Sequence, residues 1–155
     1  MIKIAKLTDY AVVLLGWLGR VQDSAAVSAA LLSQETGFPE PTVAKVLKKL
    51  AQAKLVVSER GVAGGYRIAR PASAISIRDV IEALDGPIAI ASCVDAADMT
   101  CQAASICVSR GRWNPVNEVI RKALSDITVQ DMTPDTMFSK RQVMQIKEGA
   151  HVGLS

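Results

Sequence analysis

Three cysteines, Cys93, Cys101 and Cys107, lie within the fifteen residues CVDAADMTCQAASIC, and the rest of the chain has none. In a reducing compartment, clustered thiols point to metal or redox chemistry rather than to disulfides. Thiolates are ligands for iron–sulfur clusters and for zinc. Here seven residues separate the first pair and five the second, a spacing that matches neither the tight ferredoxin run nor the paired CxxC of a zinc ribbon. Thiols spaced widely in an irregular loop can still wrap one metal centre; the plainer alternative is three small buried hydrophobes. Asp95 and Asp98 lie between the first two thiols, and no Lys or Arg follows until Arg110. A bound metal would therefore itself have to stabilise the thiolates. No Cys/His pairing, radical-type CxxxCxxC motif or general base accompanies them, so the residues do not describe an enzyme.

These thiols must be positioned by a chain of 155 residues, half of them apolar and only 4% aromatic. That suits one domain, or a small domain with an extra element, and a core of Leu, Val, Ile and Ala that favours helices. Thr8 is placed to cap a first helix running to about Arg20, with Asp9 in its favourable first turn. A short helix from about Ser28 to Thr36 stops at Gly37. Pro39 and Pro41 belong at the start of the next helix, where Val43, Val46, Leu47, Leu50 and then Leu55 form an apolar stripe. Lys45, Lys48 and Lys49 lie off that stripe and are expected to be exposed.

After this helix the rhythm changes. Leu55–Val57 and Tyr66–Ile68 read as two strands around a Gly-rich turn. Two helices joined by a tight turn, then a hairpin, predict a mainly α fold with a small β-hairpin wing, a winged helix-turn-helix. Ser76 and Asp79 form a capping box for a helix carrying Ile77, Val80, Ile81 and Leu84 on one face, ended by Gly86 and Pro87. The cysteine stretch then reads as a loop. Pro115 opens a last helix with Val116, Val119, Ile120, Ala123, Leu124 and Ile127 in an apolar seam suited to a partner. Residues 133–155 are weakly patterned and are expected to form a mobile tail.

Charge is concentrated where the reading helix and hairpin fall. Residues 38–70 hold Lys45, Lys48, Lys49, Lys54, Arg60, Arg67 and Arg70 against Glu40 and Glu59: seven less two, or +5, in a chain whose total is +3. A basic second helix with a basic hairpin is the footprint of a DNA reader, the helix in the major groove and the wing along the backbone or minor groove. Thr42, Lys45, Lys48 and Lys49 on the helix, with Arg60, Gly64 and Tyr66 at the wing, are the expected contacts. The turn from Gly61 to Gly65 lacks the Gly-Lys-Ser/Thr ending of a nucleotide loop, and its glycines suit a wing tip with positive φ.

The N-terminus resembles a signal peptide in outline: Lys3 and Lys6, then the apolar run AVVLLGWLG. Asp9 precedes that run and Arg20 closes it, and nine residues cannot span a bilayer. A cytoplasmic protein without a membrane segment is expected.

LTDYAVVLL, GFPEPTVAKVLKKLAQAKLVVSERGVAGGYRIA and three cysteines in this order resemble the IscR/NsrR (Rrf-two) family of iron–sulfur transcription regulators over about residues 1–132. Within that family the resemblance is strongest to regulators of SUF-type iron–sulfur cluster assembly. It implies a homodimer on double-stranded promoter DNA, dimerised through a long C-terminal helix around 114–130, with a 4Fe–4S or 2Fe–2S cluster near that helix. The expected division is a DNA-binding domain at 1–75, a cluster loop and dimer helix at 76–132, and the tail. The implied ligands are Cys93, Cys101 and Cys107, with Asp9 of the partner subunit as a candidate fourth. Some members have a His three residues after the last cysteine; here Arg110 stands there, and guanidinium cannot ligate. The lone His151 lies in the tail, and Ala44 stands where members often carry a larger polar residue. A zinc-containing or nitric-oxide-sensing regulator, or a cluster carrier that does not bind DNA, are the competing expectations.

Overall fold

The computed structural model describes residues 3–21, 26–62, 64–91, 94, 106–109 and 111–133. The central element is α1 (Lys6–Arg20), which buries Ala11, Leu14, Leu15, Trp17 and Leu18. Asp9 in its first turn and Arg20 in its last match the helix dipole. Thr8 is not the cap. Ala5 stands at that position without a side-chain bond, and Thr8 is 1% exposed inside the helix, its Oγ1 donating to Asp85 Oδ2 at 2.8 Å. The buried hydroxyl needs a partner, and a carboxylate 77 positions along the chain supplies it.

The helix pair forms as expected. Ser28 caps α2 (Ala29–Thr36) by accepting from the Leu31 N–H, and Gly37 closes it in the left-handed conformation. Phe38 stacks on Tyr10 with ring centroids 4.1 Å apart, fixing the turn against α1. The next helix, α3 (Glu40–Gln52), buries Val43, Val46, Leu47 and Leu50, each 0% exposed. It ends with the Leu55 N–H on the Leu50 carbonyl and the Lys54 N–H on that of Ala51. This is the 6→1 and 5→2 bonding of a Schellman cap, with the buried Leu50 and Leu55 in its apolar positions. Lys54 occupies the left-handed position, φ 58°, where glycine is usual.

The hairpin joins β1 (Val56–Glu59) to β2 (Gly65–Ile68) in antiparallel register, Val56 opposite Ile68 and Glu59 opposite Gly65. A one-residue bridge extends it on the other side: Val27 and Tyr66 exchange both backbone bonds, at 2.9 and 2.8 Å. A Cβ on Gly65 would lie 2.5 Å from the Val27 carbonyl, so glycine is required there by close approach and not by φ.

The capping box of Ser76 and Asp79 opens α4 (Ile77–Asp85), whose Val80 and Leu84 join the same core as α1 and α3. That core does not stop at residue 75. Val129, on the short α6 (Val129–Met132), is 0% exposed within it. Between them, α5 (Asn114–Ser125) lies on α4.

The final helix is shorter than the expected 114–130. The Ile77 N–H donates to the Ile127 carbonyl at 2.8 Å and the Val129 N–H to the Ile75 carbonyl at 2.9 Å, which draws the chain out of helical conformation. Thr128 and Asp131 then form a new capping box. The expected seam splits in two: Ile120 and Leu124 are half-buried, while Val116, Val119 and Ile127 are 44, 68 and 42% exposed. Thr133, assigned to the tail from sequence, is 4% exposed; its Oγ1 donates to the Val129 carbonyl and its own carbonyl accepts from Arg20. Residues 134–155 lie outside the described residues.

Candidate DNA-reading surface and thiol segment

The candidate reading surface is built from α3 and the hairpin. Four buried residues on one side of α3 fix its rotation, so Lys45 and Lys48 face solvent. Ala44 is exposed beside them, and Thr42 is half-buried in the first turn. Arg60 and Lys54 are also exposed, and none of these four cations makes an ion pair or hydrogen bond through its side chain among the described residues.

The other three cations are engaged. Arg67 Nε lies 3.0 Å from Glu59 across the hairpin, and Arg70 reaches Asp79 at 2.9 Å as well as the Ala74 carbonyl. These pairs are exposed and add little stability, but each neutralises a cation at the surface. Lys49 departs most from expectation: it is half-buried, and its Nζ donates to the Leu84 carbonyl on α4. The raw +5 of the segment therefore overstates the positive face offered to a ligand.

Gly64 and Tyr66 also serve the fold. A Cβ on Gly64 would lie 2.5 Å from the Glu59 carbonyl oxygen, so the turn closes only without one. Tyr66 is half-buried against the core, and its backbone holds Val27. Among the wing glycines only Gly61 has positive φ, 117°. Val62 at the tip is fully exposed.

For the thiols, Cys107 is exposed and free, whereas Cys93 and Cys101 lie outside the described residues, as do Arg110 and His151. Asp9 is exposed at the start of α1, without a partner among the described residues. No group of three potential metal ligands comes together among the described residues. In kind, however, an exposed free thiol and an unpaired carboxylate suit an iron–sulfur ligand set.

Asn117 was not singled out from sequence. It is 2% exposed; its Nδ2 donates to the Ile88 carbonyl at 2.9 Å and its Oδ1 accepts from the Ile90 N–H at 3.1 Å. The signal was available: an amide three and seven residues before Ile120 and Leu124 sits on the inward side of the helix. Above it, an apolar cleft of about 510 Å³ is lined by Ile4, Ile81, Ile88, Ile90, Ile120 and Leu124, with Lys3 and Asp85 beside them. No helix among the described residues is long and apolar enough to cross a membrane.

The helix pair and two-stranded hairpin match the fold of known winged-helix regulators. The profile of the Rrf2 family, described as an iron-dependent transcriptional regulator, matches residues 4–135. The HTH-type transcriptional regulator IscR of Vibrio atlanticus is 30% identical over 129 residues, covering 83% of this chain and 70% of that protein. Among solved structures, T. potens IscR superposes with a TM-score of 0.62 at 25% identity, covering 90% of this chain and 93% of that one. CymR, the global cysteine regulator of B. subtilis, is similar in fold, with a TM-score of 0.63 at 24% identity over 86% of this chain and 97% of its own. These relatives are transcription regulators rather than enzymes, and the match runs from the first helix through the last described one. The chain belongs to the Rrf2 family of transcriptional regulators.

Proposed function

We propose that this regulator is a cytoplasmic repressor of iron–sulfur cluster assembly genes, binding promoter DNA as a homodimer with an affinity set by an iron–sulfur cluster. Residues 1–75 read DNA; residues 76–132 hold the cluster and join the subunits. Cys93, Cys101 and Cys107 would hold the cluster, with Asp9 of the partner subunit as the fourth ligand. When bound, a cluster supplies a centre whose presence depends on iron supply and oxidants. The observation that carries this reading is the pairing of three clustered thiols with a winged helix whose cations at Lys45, Lys48, Lys54 and Arg60 are unpaired among the described residues. Support for the homodimer comes from α5, where Val116 and Val119, three residues apart on the helix, are exposed beyond Trp113, itself 46% exposed. A two-fold pair of reading heads matches half-sites one helical turn apart, or a multiple of it.

The four cations of each protomer that are unpaired among the described residues define the electrostatic prediction. With all eight on phosphates, log K should fall against log salt with a slope of about −7. Anaerobic purification with visible absorption, iron and sulfide analysis, and anisotropy on promoter DNA test both halves of the proposal. A coloured protein whose affinity changes when the cluster is removed supports it. A protein that stays colourless after reconstitution, or one that binds DNA equally with and without the cluster, overturns cluster control.

A further inference from the structure

We propose that Lys49 is a positioning residue of the reading helix and not a phosphate contact, and that the C-terminal turn of α4 is the joint tying that helix to the segment bearing the thiols. The second half rests on the cluster-controlled reading above. The joint gathers three links within a few residues. Lys49 Nζ on α3 donates to the Leu84 carbonyl. Thr8 Oγ1 on α1, beside Asp9, donates to Asp85. Past Gly86 the chain runs through Ile88 and Ile90, both bonded to Asn117 of α5, towards Cys93.

The physical reason lies in the unpaired carbonyls at the end of α4. A helix leaves its last carbonyls without intrahelical partners and carries partial negative charge there. The last turn of α4 contains no basic residue of its own. Lys49, from a different helix, supplies the missing donor and charge. A half-buried ammonium so engaged would have to give up this bond to reach a phosphate, whereas Lys45 and Lys48 have no bond to give up among the described residues. Displacement of the 86–90 link thereby reaches α3 through a directed bond, in addition to the core that α4 shares with α3.

The test uses the full-length protein with and without its cluster. In cluster-free protein, Lys48→Met should make the salt slope about 2 units shallower for a dimer, one contact in each subunit. Lys49→Met should leave the slope unchanged while bringing the affinity ratio between cluster-loaded and cluster-free protein to within about twofold of unity. Lys49→Arg, which keeps the donor and charge, should restore the ratio. If Lys49→Met flattens the slope as Lys48→Met does, Lys49 contacts phosphate and the assignment fails. If it leaves both slope and ratio intact, the joint does not transmit. A wild-type ratio of one sinks cluster control instead, and the slope still decides the role of Lys49. Should Lys49→Met not fold, amine acetylation of the wild-type protein decides: Lys45 and Lys48 protected by DNA and Lys49 slow in both states supports the proposal, and DNA-dependent protection of Lys49 overturns it.

Discussion

Truncating Asn117 to Ala should destabilise the chain far more than a polar-to-Ala change on a helix usually does. The side chain is 2% exposed and makes two bonds to backbone, at 2.9 and 3.1 Å, both to the link between α4 and the cysteine segment. Each bond contributes about 1 kcal/mol net, and each backbone group left without a partner costs about 1 kcal/mol more where water cannot reach it. Ile88 and Ile90 are half-buried, so water recovers part of that second cost. The sum is about 2–3 kcal/mol, or a fall in Tm of about 6–10 °C for a domain of this size. Urea unfolding at fixed protein concentration measures it, because the proposed dimerisation would make stability concentration-dependent. Asn117→Asp keeps the acceptor for the Ile90 N–H but sets a carboxylate oxygen against the Ile88 carbonyl, so it should also destabilise. A loss below about 0.5 kcal/mol for Asn117→Ala, or an Asp variant as stable as wild type, would refute the view that this amide anchors the link.

Further predictions concern the elements that hold the candidate reading surface, and α6. Lys54→Gly should raise stability by about 1 kcal/mol in thermal unfolding, because the residue sits at φ 58° in a Schellman cap where a side chain is disfavoured; an unchanged Tm would show that the cap is not strained. Gly65→Ala should lower stability by about 2 kcal/mol, since its Cβ would meet the Val27 backbone, which cannot move aside without breaking the Val27–Tyr66 bridge; loss of amide-exchange protection at Val27 and Tyr66 is the local readout. The carboxyl of Asp131 is held below its ordinary value of 3.8 by the Thr128 hydroxyl and then by the Thr128 N–H. Its folded pKa is depressed, so its contribution to the α6 cap is fully present above pH 3.8 and is lost as pH falls through the lower folded value. An NMR titration of Asp131 should give a midpoint below 3.8, and one at or above it would refute the capping bond.

Much of this molecule is written in local pattern. The apolar stripe of α3, the Ser28 and Ser76 caps, the stop at Gly37 and the strands around the wing follow from nearest-neighbour chemistry, and residues a few positions apart suffice to specify each. The thiol cluster and the family resemblance are equally legible, because both are statements about residue type and order. Tertiary structure alone decided which polar groups are already engaged. Thr8 looked like a cap and is a buried donor to Asp85; Lys49 looked like a surface cation and closes the end of another helix. The last helix has the periodicity to reach 130, yet strand-like pairing of Ile127 and Val129 with Ile77 and Ile75 ends it at Ser125. In each case the deciding partner lies at least 35 positions away in sequence, and whether a buried polar group finds a partner depends on the folded arrangement rather than on its neighbours in the chain.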